Sequence, residues 1–315
     1  MRHPLAFLLS LSLVACVFLP SAAHATEPFL KSGDVIALVG GEDMVVAGED
    51  GYFESLLTRA LPGYHLRFRN LAWEGDTVFE QRRDLNFPTW EEQLDKVGAT
   101  VVIVQFGQME SLAGQEKLPE FLSAYGKLID RFSNGGKRRV VLLGPCNFSP
   151  SPAFAPEDTH KLEKATSLKF RNAVLRHYQN AIEDLAKQHG ARFADLAELP
   201  TKDVPLQRDG IHLTAAGQQI VATRVLGDLD LPSSAEAKTP DALRQLIVAK
   251  NRLWFDYWRP QNWAFLAGDR INQPSSRDHI DPSKRWFPPE REQFLPLVEA
   301  KEKEIDALAA KLTKP

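Results

Sequence analysis

Asp209 and His212, in the run Asp209-Gly210-Ile211-His212-Leu213, are the residues whose types and spacing point most directly to chemistry. An acid three positions ahead of a histidine lets a single turn hold both side chains together. The carboxylate can then bond one ring nitrogen, fix the tautomer and aim the other nitrogen outward, as a general base requires. The plain alternative is an aspartate that caps a turn beside a histidine with no chemical task. Glu42 and Asp43, directly after Gly40-Gly41, form a second acidic group within reach of a strand end.

These residues need elements to carry them. Asp34 to Val39 reads as a buried first strand that runs into a tight turn at Gly40-Gly41. Gly51 to Ala60 reads as a helix and Leu66 to Leu71 as a second strand, ending in the loop Trp73-Glu74-Gly75-Asp76-Thr77. Trp90 to Val97 fits a helix. Thr100 to Phe106 is a β-branched strand closed by Gly107, followed by a helix over Leu118 to Phe132. Arg139 to Leu143 is a fourth strand, Lys161 to His189 a long helix, and Ala191 to Leu196 a fifth strand. Thr214 can cap the next helix, whose apolar face is Ile220, Val221, Val225 and Leu226. Strands alternating with helices predict a mainly parallel sheet covered on both faces, with ligands gathered at the carboxyl ends of the strands. The loops at Gly40-Gly41, Gly75, Gly107 and Asp209–His212 should therefore converge on one edge.

Past Leu231-Pro232-Ser233-Ser234 the chain changes character. Thr239-Pro240-Asp241 starts another helix, and a last one is expected over Glu290 to Leu312, with Val298, Ile305, Leu308 and Leu312 inward and Glu299 and Lys303 paired outside. Four of the six tryptophans lie between Trp254 and Trp286, so this stretch either packs the tail onto the sheet domain or offers rings for stacking on sugars.

A net charge of -3 with no basic block argues against nucleic acid as the main partner. The first 25 residues read as a signal peptide: Arg2 and His3, an apolar run from Leu5 to Leu19, and the small-x-small site Ala23-His24-Ala25. That run is too short for a confident membrane span. Leu13-Val14-Ala15-Cys16 also fits a lipobox, which would make Cys16 a lipid anchor; export with cleavage after Ala25 is the preferred reading. Cys146 then remains the one cysteine of the mature chain, which removes any intrachain disulfide. No cofactor and no metal is implied. Glu42, Asp43, Asp209 and His212 could ligate a divalent ion by type, but their spacing follows no metal motif.

Taken together, the loops resemble the SGNH (GDSL) hydrolase family over about residues 32–230. The resemblance implies a flavodoxin-like three-layer α/β/α sandwich, here with a helical, Trp-rich C-terminal extension over 239–315. That family has a nucleophilic serine after the first strand, a glycine after the second, an asparagine after the third and an Asp-x-x-His near the end. Asp209 and His212 match the last, and Gly75 matches the glycine. Gly107-Gln108-Met109-Glu110-Ser111 stands where the family has its asparagine, with Met109 at that position. Trp258-Arg259-Pro260-Gln261-Asn262 looks like the tail of exported relatives from planctomycete-type bacteria. In place of Gly-Asp-Ser the chain has Gly40-Gly41-Glu42-Asp43, which sets Glu42 at the serine position.

The resemblance therefore implies activity on ester bonds, of a small molecule or an acylated carbohydrate, with His212 and Asp209 as base and orienting acid and Gly41, Gly75, Met109 and Ser111 around the substrate. It also implies that serine-type activity is weak or lost, since the alcohol and one oxyanion donor are missing. A glutamate beside His212 would pair with it and weaken it as a base. Ser111 is a substitute nucleophile by location, although a helix-cap serine is the plainer reading. The alternative is a non-catalytic protein whose cleft binds carbohydrate or cell wall.

Overall fold

The β-branched runs form the centre of the computed structural model, which describes residues 28–151, 167–200, 204–231 and 240–312. The predicted leader, Cys16, the start of the long helix before residue 167 and the boundary at 232–239 lie outside the described residues. Five strands, β1 (Val35–Gly40), β2 (Arg67–Asn70), β3 (Val101–Gln105), β4 (Arg139–Leu143) and β5 (Arg192–Ala194), make one sheet in the order β2-β1-β3-β4-β5. Every pairing is parallel. The order is that of a flavodoxin-like doubly wound fold, whose switch point lies between β1 and β3.

Alternation along the strands builds two cores. Ile36, Leu38, Val101, Ile103, Val141 and Leu143 face one side, against α1 (Glu42–Asp50), α2 (Tyr52–Ala60) and α7 (Ala215–Asp228). Ala37, Val39, Val102, Val104, Val140 and Leu142 face the other, against α3 (Trp90–Lys96), α5 (Leu118–Ser133) and α6 (Leu168–Gln188). This is the expected three-layer sandwich. A short helix, α4 (Gln108–Ser111), follows β3.

One local expectation fails at the first turn. Gly40-Gly41 does not lead through a loop to a helix at residue 51. Helix α1 starts at once, at Glu42, and Gly51 separates it from α2 with φ at 70°. Gly40 is held at φ 148°, and a Cβ there would stand 2.7 Å from the Gln105 carbonyl, so only glycine lets β1 turn this closely past β3.

The tail forms α8 (Asp241–Trp258), α9 (Trp263–Leu266), α10 (Phe287–Glu292) and α11 (Phe294–Leu312). Trp254, Trp258 and Trp263 are buried and pack α8 and α9 onto the sandwich, so they are joint residues and not an exposed stacking surface; only Trp286 stays partly open. The inward face of α11 is Val298, Glu302, Ile305 and Ala309, while Leu312 is exposed, and the surface ion pair is Lys301–Glu304 in place of the expected Glu299–Lys303. Glu302 turns inward because Arg69 meets it at 2.6 Å, and Asp306 holds Arg67 at 2.8 Å. These contacts cover β2, an edge strand whose open flank would otherwise invite pairing with another chain. Lys250, fully buried on α8, bonds buried Glu54 of α2 at 2.8 Å. Such a pair is tolerated because the attraction between the two charges offsets their loss of hydration, and either alone would be strongly unfavourable.

Candidate active site

The segment between β5 and α7 folds back on itself. Gln207 and Leu213 form an antiparallel bridge, and Arg208 N donates to the His212 carbonyl at 2.9 Å. At its tip Asp209 accepts the backbone N–H groups of Ile211 at 3.0 Å and His212 at 2.8 Å, an Asx turn. The other carboxylate oxygen meets His212 Nδ1 at 2.7 Å. Burial alone would raise this carboxyl, but the His212 ring and the two amides outweigh it and hold it down at about 2. Gly210, at φ 90°, is the residue the turn cannot replace, because a Cβ would fall 2.7 Å from the Ser149 carbonyl.

His212 Nε2 does not face open solvent. It lies 3.1 Å from Glu42 Oε2, across 170 residues of chain. Glu42 is the first residue of α1, where the unpaired amides of the helix end favour an anion. Arg208 Nη2 bonds its other oxygen. The result is a row of four linked side chains, Asp209, His212, Glu42 and Arg208, in which both ring nitrogens of His212 face carboxylate oxygens.

Asp43 turns away from this row. Its Oδ1 accepts Leu213 N at 3.0 Å and its carbonyl accepts Gln218 Nε2 at 2.9 Å, which ties the start of α1 to the start of α7. Burial pushes its carboxyl up to about 6, against the pull of the Leu213 amide and the His212 charge.

Gly75 sits at φ 79° in the turn after β2, where Trp73 N reaches back to the Gly40 carbonyl at 3.1 Å. Both neighbours of Gly75 are clamped by arginines. Asp76, buried, holds Arg83 through two bonds of 2.7 and 2.6 Å. Glu74 takes Arg259, from the end of α8, at 2.6 Å. The two guanidinium groups lie 4.4 and 4.0 Å from the Trp73 ring centre. A fork on a carboxylate together with a plane on an aromatic ring is a geometry that lysine cannot copy.

After β3, Met109 is half exposed and lines the cleft together with Gly41, Glu42, Asp43 and His212. Ser111 is buried and its Oγ donates to the Gln108 carbonyl at 2.6 Å, so its hydroxyl serves α4. Gly75 and Ser111 are not among the residues that wall the cleft, whereas Asp76 and Glu110 are. Glu110 was not singled out from the sequence. Its buried carboxylate accepts Gly107 N and Val78 N, both at 2.8 Å, and so fastens the third loop to the second. The Gly107-x-x-Glu110 spacing of a helix-start box was the signal for it. Among the described residues, no group of three or more His, Cys, Asp or Glu side chains is arranged to hold a metal ion.

Several solved structures are similar to parts of this chain. One structural relative is a gut microbial diltiazem-metabolizing enzyme, with 18% identity and a TM-score of 0.49. It aligns over 64% of this chain but only 48% of its own length. An extracellular lipase from Streptomyces rimosus aligns over 62% of this chain and 98% of its own, with 16% identity and a TM-score of 0.42. The carbohydrate acetylesterase Est24 from Sinorhizobium meliloti does so over 62% and 98%, with 14% identity and a TM-score of 0.44. No curated protein sequence matches. The model of the GDSL-like Lipase/Acylhydrolase family matches residues 33–220, the span that carries all five strands and the Asp209–His212 pair, and the chain belongs to that family.

Proposed function

We propose that this chain is an ester-bond hydrolase-like protein in which Glu42 stands in place of the family's serine alcohol. Its cleft engages an acylated small molecule or carbohydrate without serine-type turnover. The observation that carries this reading is the 3.1 Å contact between His212 Nε2 and Glu42 Oε2. A general base needs a free lone pair aimed at a hydroxyl; here the ring nitrogen is aimed at an acceptor that already holds Arg208. Loss of a serine nucleophile removes roughly 10⁶ in rate in a protease where it was measured, and loss of one oxyanion donor about 10²–10³. Met109 offers no such donor. We further propose export, with residues 1–25 as the leader and 239–315 as an extension; the basic start, apolar run and Ala23-His24-Ala25 support the first.

Labelling with a fluorophosphonate probe tests the reading. The wild-type protein should take no label on any serine, and Glu42→Ser should acquire one at residue 42. A labelled serine in the wild type would overturn it. So would hydrolysis of p-nitrophenyl acetate by the wild type that His212→Ala abolishes.

A further inference from the structure

The Glu42 carboxylate is held between two side chains of another element. One of its oxygens accepts Arg208 Nη2, and the other lies 3.1 Å from His212 Nε2. Arg208 and His212 both belong to the folded-back segment between β5 and α7, whereas Glu42 opens α1. We infer that Arg208 and His212 form a binding site for the carboxylate of a small acid ligand, and that Glu42 fills this site as a built-in competitor. The inference rests on the reading that the cleft binds without serine-type turnover, and it names the group that is bound.

Three observations select a carboxylate. The first is the occupant itself: the pair already receives one, with each oxygen at a different partner. Arg208 also keeps N–H groups in reserve. Its Nε stands 4.0 Å from Asp209 Oδ2, too far for a hydrogen bond, and among the described residues only its Nη2 is bonded. A free carboxylate can take a fork of two such groups, while Glu42 is tied to α1 and shared with His212.

The second concerns the other acids of the cleft. Asp43 receives Leu213 N, Asp76 receives Arg83, and Glu110 receives Gly107 N and Val78 N. An ammonium ligand would have to break one of these bonds, whereas a carboxylate finds the spare donors of Arg208. The third is exposure. The side chains of Arg208 and Glu42 are 52% and 32% exposed, so water competes for both, and such a pair shifts an equilibrium by no more than about fivefold. Glu42 therefore leaves readily. Phe106, Met109 and Ile211 line the cleft beside it and offer apolar contact to the rest of a small acid.

Side-chain resonances of His212 and Arg208 test the site while acetate or benzoate replaces chloride at a constant ionic strength of about 0.1 M, which keeps screening equal at every point. At least one acid should shift both sets of resonances, and acetamide, benzamide and ethylammonium should leave them in place. Glu42→Ala should tighten that binding about threefold to fivefold, because the competitor is gone. Glu49→Ala removes the same charge from the far end of α1 and should leave Kd within about twofold, since salt screens exposed charges at that range. Arg208→Ala in the Glu42→Ala background should weaken binding about tenfold, the loss expected of a hydrogen bond between charged groups. No shift with either acid overturns the inference, as do equal shifts from the amides or the ammonium. Unchanged affinity in Glu42→Ala, or equal tightening in Glu49→Ala, overturns it as well. Serine labelling by the fluorophosphonate is a separate signal, so failure of the cleft reading and failure of this inference are told apart.

Discussion

The charged groups of the cleft and those of the joint between tail and sandwich are paired to a similar extent, yet they stand in different surroundings. At the joint, the side chains of Lys250 and Glu54 are 0% and 6% exposed, and those of Arg69 and Glu302 14% and 8%. In the cleft, those of Arg208 and Glu42 are 52% and 32% exposed, and Asp209 is 47%. Water screens the second set, and half-exposed pairs are worth roughly 0–1 kcal/mol each. Removing one partner from the first set strands a charge in a low-dielectric interior. The joint is therefore fixed, while the row through Glu42 and His212 can be rearranged at small cost. A ligand could displace Glu42 without disturbing the fold.

Lys250→Ala gives the largest expected effect, a loss of about 3–5 kcal/mol in urea unfolding, because Glu54 is left buried and alone. The double change Lys250→Met with Glu54→Leu should recover most of it. A loss below about 1 kcal/mol in the single variant would break the contrast.

Asp43 sharpens the contrast from the cleft side, where desolvation raises its carboxyl. Its folded-state value of about 6 lies above the ordinary 3.8 of an aspartate, so the folded form holds the proton more tightly. The stability it contributes is present below about pH 4 and is lost as pH rises through 6, by at most about 3 kcal/mol. Asp43→Asn keeps an acceptor for the Leu213 amide and should flatten unfolding free energy across that window. An unchanged slope between pH 4 and 6 in the variant would refute it.

Arg259→Ala should cost about 1–2 kcal/mol through the lost charged bond and ring contact. Amide exchange should rise over Trp73 to Asp76 and not within α11, and Arg259→Lys should not restore it. Exchange rising equally throughout the tail would mean a general loosening and no clamp. Arg208→Ala is the smallest, under about 1 kcal/mol, with unfolding curves nearly superimposed. A larger loss would place the cleft among the rigid regions after all.

Much of the sheet was legible because its strands are short β-branched runs closed by glycines, and parallel strands buried on both faces carry that pattern openly. Asp209 and His212 were legible because their partnership is local, three residues long. Arg208 meeting Glu42 was not, since the two are 166 positions apart and only the sheet order brings them together. The immediate start of α1 was hidden by Gly40-Gly41, which reads as a turn until the close pass of Gln105 explains the glycine. The tryptophans of the tail were compatible with packing, the plainer reading, and with display. Burial decides between these, and burial belongs to the assembled fold rather than to any one segment.

Helix α1 runs nine residues, about 13 Å at the usual rise, with Glu42 at its first turn and Gly48 and Glu49 at its last. It thus acts as a short strut between the cleft and the tail. Asn251 of α8 grips the Gly48 carbonyl at 2.8 Å, so whatever shifts α8 pulls on this strut. The ring resonances of His212 should then shift in Asn251→Ala, which frees the strut's far end; resonances that stay put would mean the two ends move separately.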